Sequence, residues 1–573
     1  MPGTQGHFEN ADIFMIAGYF VLMLGIGAYF YNRMKRMKDY FSGGNSIPWW
    51  LSGVSFYMSS FSVAAFVFYP GLCYRHGWVG VTLLWVAIPA TIFSVMLFAV
   101  RWRRARIDSP VEYLETRYSP FLRQLFAWHG IPVRMVDDGI KLTATATFIS
   151  ICADVSLNTS ILAAGIIILI YTFMGGLWAV TVTDFIQFVV LTVGVIIILP
   201  LSVIKAGGMG AVIGNAPEGF FRLTSEEFGW SYVIPLILMY ALAWSSINWS
   251  LIQRYYCVPK ERDAQKVGWL VVALYVIGPP IMFFPAIAAR QFIPELEDAG
   301  HIYPLLCTQL LPAGMLGLAV AAMFAATMST LSSDYNVCAG VLTNDVYRRL
   351  FRPDATQREL VLVGRMMTIL IGIVALLTAI AMSRGAAEDL FKKMVTLFGL
   401  ATSPVAVPML LGLVSRRFTN QSAILGCLSG LAVGLLLFFF GPTEELLFLG
   451  IAWKMEIVLI VVTAVVTLAV MFVASAIAPA SAEAQARTDA FLKRIEMPIG
   501  SLPDDDDSES KGSAFSPFRV VGISIALIGV LMLAMMPVIQ GRTETMLAGG
   551  IGGLLLAIGG VVTWASRRPV LES

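Results

Sequence analysis

The twelve residues Ala325-Ala326-Thr327-Met328-Ser329-Thr330-Leu331-Ser332-Ser333-Asp334-Tyr335-Asn336 set five serine and threonine hydroxyls into an otherwise apolar stretch. Positions 329, 330 and 333 fall three, four and seven beyond 326, so on a helix they share one face. Several neutral oxygens on one face suit a weakly held, readily released sodium ion, whereas soft or multivalent metals want His, Cys or clustered carboxylates. A small-residue helix-packing face is the alternative. A second candidate is Asp184, in Thr181-Val182-Thr183-Asp184-Phe185-Ile186-Gln187 at the start of an apolar run. An ionisable group there is costly, which points to ion coordination or coupling, or else to a helix N-terminal cap. The third is Arg134-Met135-Val136-Asp137-Asp138-Gly139-Ile140-Lys141. Asp137 and Lys141 are placed to pair along a helix, which leaves Arg134 to grip a carboxylate with its two-pronged guanidinium. Alternatively Asp137 and Asp138 bind sugar hydroxyls while the bases balance them, or the group is purely structural.

Such groups need elements to hold them, and here those elements are membrane helices. Of 573 residues, 57% are apolar and only 13% charged, against roughly 25% charged in a soluble domain. Apolar runs such as Ile161–Tyr171, Phe185–Leu201 and Ile457–Val473, with their flanks, reach the roughly 20 residues that span a hydrocarbon core. Runs and breakers predict about fifteen helices, near 11–32, 50–71, 78–101, 120–155, 159–178, 181–205, 231–256, 267–290, 313–347, 361–384, 391–415, 420–441, 448–476, 517–539 and 545–566. Basic loops fall on alternate sides: Arg33/Lys35/Arg36/Lys38, Arg101/Arg103/Arg104/Arg106, Lys260/Arg262/Lys266, Arg348/Arg349/Arg352, Arg416/Arg417 and Arg567/Arg568 share one. The positive-inside rule makes that side cytoplasmic, with the N-terminus outside and the C-terminus inside. Glu9 and Asp12, with no basic n-region, argue that the first apolar run is a retained helix rather than a signal peptide. The polar segment 477–516, with an amphipathic piece at Phe491–Ile495 and the run Asp504–Asp507, reads as a cytoplasmic linker whose acidic run is a solvated loop or, alternatively, a dock for a partner.

Two spans are polar at mid-length. One carries Ser55, Ser59, Ser60 and Ser62; the other reads Trp244-Ser245-Ser246-Ile247-Asn248-Trp249-Ser250. Corresponding interrupted spans in oppositely oriented halves are the pattern of inverted-repeat transporters, although serines also sit in intact helices. The six cysteines and four histidines are scattered, without metal-ligand spacing, and no phosphate loop or nucleophile elbow occurs. A net charge of +2 gives no support for a nucleic-acid partner.

Four motifs, in order along residues 10–475, carry a family resemblance. Gly175-Gly176-Leu177-Trp178-Ala179-Val180 through Gln187 resembles the signature of the sodium:solute symporter family. Met328 to Ser333, with Asn336 and Asp345-Val346-Tyr347-Arg348, looks like its eighth core helix. Ser46-Ile47-Pro48-Trp49-Trp50 is similar to the approach to its first core helix, and Asn248 with Ile252-Gln253-Arg254 resembles its sixth. The resemblance implies an all-α, leucine-transporter-like core of two inverted five-helix repeats, 48–205 and 231–415. An extra helix at 11–32, two at 420–476 and a C-terminal pair at 517–566 would flank it. It also implies a main sodium site formed by the carbonyls of Met58, Phe61 and Ala326 with the hydroxyls of Ser329 and Thr330. A second, found in some relatives, would use Asp184, Ser332, Ser333 and Ser329. Substrate would then lie near Ser59, Ser60, Ser62, Arg134, Asp137, Asp138, Lys141, Trp244, Asn248 and Thr402.

The expected function is therefore sodium-coupled import of a small polar organic solute across the cell membrane: a sugar, an acidic sugar such as a sialic acid, or an organic acid. No organic cofactor is expected. The competing classes are a transporter-like sensor, a passive channel and a membrane enzyme. No fused signalling domain is expected, and no convergent acid–base or metal groups support an enzyme.

Overall fold

The computed structural model describes residues 8–31, 43–383, 387–442, 445–448, 451–502, 517–537 and 542–565. The basic stretch Arg33–Lys38, the acidic run Asp504–Asp507 and Arg567–Arg568 lie outside them. In chain order, leaving aside short helices at Met209–Gly214 and Ile302–Leu310, the helices are α1 (Asn10–Tyr31), α2 (Trp49–Ser59), α3 (Val63–His76), α4 (Val79–Arg104), α5 (Tyr113–Arg117), α6 (Pro120–Ala153), α7 (Leu157–Lys205), α8 (Trp230–Leu242) and α9 (Trp249–Tyr256). There follow α10 (Glu261–Ala289), α11 (Met315–Val341), α12 (Gln357–Met382), α13 (Ala387–Val414), α14 (Asn420–Phe440), α15 (Met455–Ile477), α16 (Ala482–Glu496), α17 (Pro517–Met535) and α18 (Arg542–Ala565).

Among the described residues twelve helices are long and apolar enough to cross a membrane, or fourteen when two bent pairs each count as one. The difference from about fifteen lies at α6 and Leu157–Phe173, which meet at 118° and form one of those pairs. The other pair is α2 and α3, bent by 60°. No break separates the expected helices 159–178 and 181–205; α7 runs on as helix through this region. Asp184 thus sits inside a helix, and the cap reading of it is wrong.

Two further expectations are corrected. The predicted helix 448–476 starts only at Met455, because an antiparallel hairpin, β1 (Glu445–Phe448) and β2 (Ile451–Lys454), precedes it. The linker also contains more than a loop. Ser481 caps α16, and Phe491, Leu492 and Ile495 are buried. Phe491 stacks on Tyr113 of α5 at 5.9 Å between ring centroids, and the Arg117 guanidinium donates to the Thr488 hydroxyl at 3.0 Å. Basic loops gather at this end of the bundle: Arg104 pairs with Glu261 at 2.8 Å, and Arg106 donates to the carbonyl of Pro498 at 2.9 Å.

At the bundle centre lies α11, all 27 of whose residues are buried. It packs against α1, α2, α3, α6, α7, α9 and α12. Its N-terminus is held by α1: the Asp12 carboxylate accepts from the backbone N–H groups of Gly314 and Gly317 at 2.7 and 2.6 Å. A carboxylate there meets both the open N–H groups and the positive end of the helix dipole. Gly317 must be small, since a Cβ would lie 2.5 Å from the Asp12 carbonyl oxygen.

Candidate functional site

Two helices break midway, as their polar centres suggest. Between α2 and α3 the chain leaves helical geometry at Ser62 (φ −124°, ψ −174°), whose hydroxyl caps α3 by accepting from the Ala64 N–H at 3.2 Å. The Thr327 hydroxyl of α11 accepts from the Val63 N–H at 3.0 Å. Between α8 and α9 a wide turn at Ala243–Ile247 ends at Asn248 (φ −80°, ψ 80°). Each break frees carbonyls and N–H groups that a continuous helix would consume.

At the first break these carbonyls converge on one hydroxyl. Thr330 Oγ1 lies 3.3 Å from the carbonyl oxygen of Met58, 2.6 Å from that of Phe61 and 3.0 Å from that of Ala326. Ser329, one residue away, is buried and its hydroxyl turns toward the Asp184 carboxylate. Full burial of α11 keeps this strip away from lipid. It therefore encloses a set of four oxygens, three of them carbonyl and one the Thr330 hydroxyl.

The second predicted set is arranged differently. Asp184 is buried and accepts from the Ser55 hydroxyl. Arg254 of α9, absent from the sequence-based site, reaches the same place: its Nη2 lies 3.7 Å from Asp184 Oδ2 and donates to Ser333 Oγ at 2.8 Å. Ser59 bonds Ser333 at 3.0 Å, and the Ser332 hydroxyl donates to the Ser329 carbonyl at 3.2 Å.

The charged segment of α6 forms a buried knot with α11. Lys141 Nζ lies 2.7 Å from Asp137, 3.4 Å from Asp138 and 3.1 Å from Asp334. The Asp137–Lys141 pair is thus present, but Arg134 is not left wholly open. Its Nη1 lies 3.2 Å from Asp137 and 3.8 Å from Asp334, and its Nη2 donates to the Ile247 carbonyl at the second break at 3.2 Å. Arg134 Nε and one oxygen each of Asp137, Asp138 and Asp334 have no partner among the described residues. Sequence reasoning quoted Asp334 without giving it a role; a charge inside an apolar span was the available signal.

The remaining predicted substrate residues divide. Ser60 donates to the Tyr57 carbonyl at 2.6 Å and bonds Tyr275, and Trp244 packs 5.4 Å from the Tyr275 ring. Asn248 accepts from the Ser250 hydroxyl at 3.2 Å. Thr402 Oγ1 is buried without a partner among the described residues, on α13, which packs against the turn at Ala243–Ile247. Ser62 is committed to its cap and Ser59 to the Arg254 network. Arg134, Asp137 and Asp138 are at most 1% exposed.

A bundle whose two broken helices meet a buried oxygen cage and a charged knot at mid-depth has the architecture of a secondary transporter. The profile described as Sodium:solute symporter family matches residues 40–219 and 250–430, and the chain belongs to that family. It is a membrane-embedded, sodium-coupled symporter, not an enzyme. The chain is 27% identical to the sodium/sialic acid symporter NanT of Aliivibrio fischeri, over 74% of this chain and 87% of that one. It is also 27% identical to the sodium/glucose cotransporter of Vibrio parahaemolyticus, over 77% and 87%. A solved structure of a Na+-coupled sialic acid symporter, substrate-bound and outward-open, superposes with a TM-score of 0.71 at 22% identity, covering 83% of this chain and 99% of that one. That likeness shows the leucine-transporter-like fold.

Proposed function

We propose that the coupling sodium binds the carbonyls of Met58, Phe61 and Ala326 with the hydroxyls of Ser329 and Thr330, and that the solute is a hydroxyl-rich organic molecule, an acidic sugar before a neutral one. The observation that carries the solute reading is the charged knot against the second break. Three carboxylates each keep an unused oxygen there for sugar hydroxyls. Arg134 touches the carbonyl of the broken helix and offers an unused Nε–H, a donor for a carboxylate. The relatives named above, which carry sialic acid or glucose, agree in class.

In the proposed cycle sodium joins α2 and α3 to α11, which orders the first break. The solute joins α6 to the second, and the helices carrying the breaks then rock against the rest. The N-terminus faces outward and the gathered basic loops face the cytoplasm. One sodium supplies about 2.3 kcal/mol at 100 mV and about 1.4 kcal/mol per tenfold gradient, enough for several-hundredfold accumulation of a neutral solute.

The test is a thermal-shift screen of the purified protein with N-acetylneuraminic acid, glucose, myo-inositol, gluconate and proline, in sodium and then in potassium. Stabilisation by an acidic sugar in sodium alone supports the reading. Equal stabilisation in potassium, or a response only to proline, overturns it.

A further inference from the structure

Thr327 of α11 lies three residues before Thr330, and its hydroxyl takes the other side of the first break. Where Thr330 Oγ1 meets the carbonyls of Met58 and Phe61, Thr327 Oγ1 accepts from the Val63 N–H at 3.0 Å. Val63 is the first residue of α3, and its N–H is one of those that a helix start leaves without an intrahelical acceptor. Thr327 has a second contact, 2.6 Å from the Thr145 hydroxyl of α6. Thr145 in turn donates to the Lys141 carbonyl at 2.8 Å. Val63, Thr145 and Thr327 are each at most 1% exposed.

We propose that Thr327 and Thr145 are positioning residues of the sodium site: a relay of two hydroxyls that holds the Phe61 carbonyl toward the ion and ties the first break to α6. This rests on the proposed reading of Met58, Phe61, Ala326, Ser329 and Thr330 as the sodium ligands, and concerns what keeps them in place.

The direction of the relay follows from its protons. Each hydroxyl has one to give. Thr145 gives its own to Lys141, so toward Thr327 it accepts, and Thr327 donates. With that proton spent, the Thr327 lone pairs are left to the Val63 N–H. The chain runs from Val63 N–H to Thr327, from Thr327 O–H to Thr145, and from Thr145 O–H to the Lys141 carbonyl, each proton used once. Without Thr145, the Thr327 hydroxyl loses this acceptor and is free to turn back onto its own helix, as threonines in helices do. The Val63 N–H is then a buried donor with no partner. Val63 stands two residues from Phe61, so a shift in the start of α3 carries the Phe61 carbonyl with it. At its far end the relay reaches the backbone of Lys141, whose side chain belongs to the charged knot. The sodium-bearing break is thereby fastened to the segment proposed to meet the solute.

A mere packing role makes the opposite forecast under substitution. Valine copies the shape of threonine and lacks the hydroxyl, whereas serine keeps the hydroxyl and lacks the methyl group. The relay requires serine to serve and valine to fail.

The experiment is radiosodium binding to the purified full-length protein and its variants, with gel filtration and melting to verify folding. Thr327→Val is expected to weaken sodium binding about tenfold, the scale of one buried donor left unpaired. Thr145→Val, whose hydroxyl meets neither the ion nor the break, is expected to weaken it severalfold. The double valine variant should be no weaker than Thr327→Val alone, because one break already opens the relay. Thr327→Ser and Thr145→Ser should stay near wild type. Wild-type affinity in either valine variant, serine variants as weak as the valine ones, or additive losses in the double variant each overturn the proposal. Should the valine variants fail to fold, deuterium exchange of the wild-type peptide carrying Val63 decides. Slower exchange in sodium than in potassium is expected there, and equal exchange overturns the relay. A Thr330→Ala arm separates the two readings. Unchanged sodium affinity in that variant refutes the proposed main site, whereas a loss there, with both valine variants at wild type, refutes only the relay.

Discussion

Lys141 of α6 and Asp334 of α11, 193 positions apart, face each other with 3.1 Å between Nζ and Oδ2. Asp334 lies four residues beyond Thr330, so the same helix carries the hydroxyl proposed to face sodium and one corner of the charged knot. Lys141 is the only group within 3.4 Å of all three carboxylates among the described contacts. Lys141→Ala leaves these acids with Arg134 alone, and should destabilise by about 3–5 kcal/mol, as loss of one partner of a buried pair does. Lys141→Ala/Asp334→Asn should recover part of that loss. Melting of the purified variants, followed by tryptophan fluorescence, measures both. A single variant that melts like the wild type would make the knot energetically idle.

Thr330→Ala should lower sodium-driven uptake at least tenfold in vesicles at matched expression, because it removes the hydroxyl on which three carbonyls converge. Thr330→Ser keeps that oxygen and should retain most uptake. Ser329→Ala should shift the sodium concentration for half-maximal uptake upward. Unchanged sodium dependence in both alanine variants would exclude this pair from the ion site.

Arg134→Ala should weaken uptake of an acidic sugar by tenfold or more, the scale of a lost charge-assisted hydrogen bond at about 1.5–3 kcal/mol. A neutral sugar should suffer less. Arg134→Lys is not expected to rescue, since an ammonium lacks the planar fork. Competition uptake with paired acidic and neutral sugars reads the difference, and equal loss for both would assign Arg134 a structural role.

Gly130 of α6 lets Trp249 of α9 lie against the helix backbone: a Cβ there would stand 2.3 Å from the Trp249 ring. Trp249 is 1% exposed and has little room to retreat. Gly130→Ala should therefore destabilise by about 1–3 kcal/mol through overpacking, and Gly130→Ala/Trp249→Leu should regain some of it. Additive losses in the two single variants would show that the residues do not share this space.

Asp12→Ala should cost about 1–2 kcal/mol, the range for a lost helix cap, and should raise the sodium concentration needed for half-maximal uptake by moving the start of α11. Asp12→Asn, which keeps one acceptor oxygen, should fall between. A melting curve and a sodium titration on the same preparation test both halves of the expectation.

Most of the membrane helices were legible in the sequence because length and hydropathy are local properties. The breaks were legible as well, since Ser59–Ser62 and Ser245–Asn248 interrupt apolar runs with groups that compete for backbone hydrogen bonds. Periodicity, however, tells which residues share a face and not what that face meets. Asp334 reaches Lys141 across 193 positions, and Arg254 reaches Ser55 across 199, so neither partnership leaves a local trace. The hairpin before Met455 was missed, and the amphipathic piece at Phe491–Ile495 was not seen to belong to a helix from Ala482 to Glu496, for a related reason: short polar-edged segments gain their order from what they dock against. For α16 that is Tyr113 and Arg117.

The enclosure of α11 bears on how such a protein can change over generations. Its most apolar stretch is 100% buried, against 28% for the span at Thr545–Trp564. A helix bathed on one side by fatty-acid chains can drift there among Leu, Ile, Val and Phe at little penalty. α11 offers no such idle flank. Nearly any exchange along it must be answered by a neighbour, so inherited variation should thin out around its whole circumference while accumulating freely on α18.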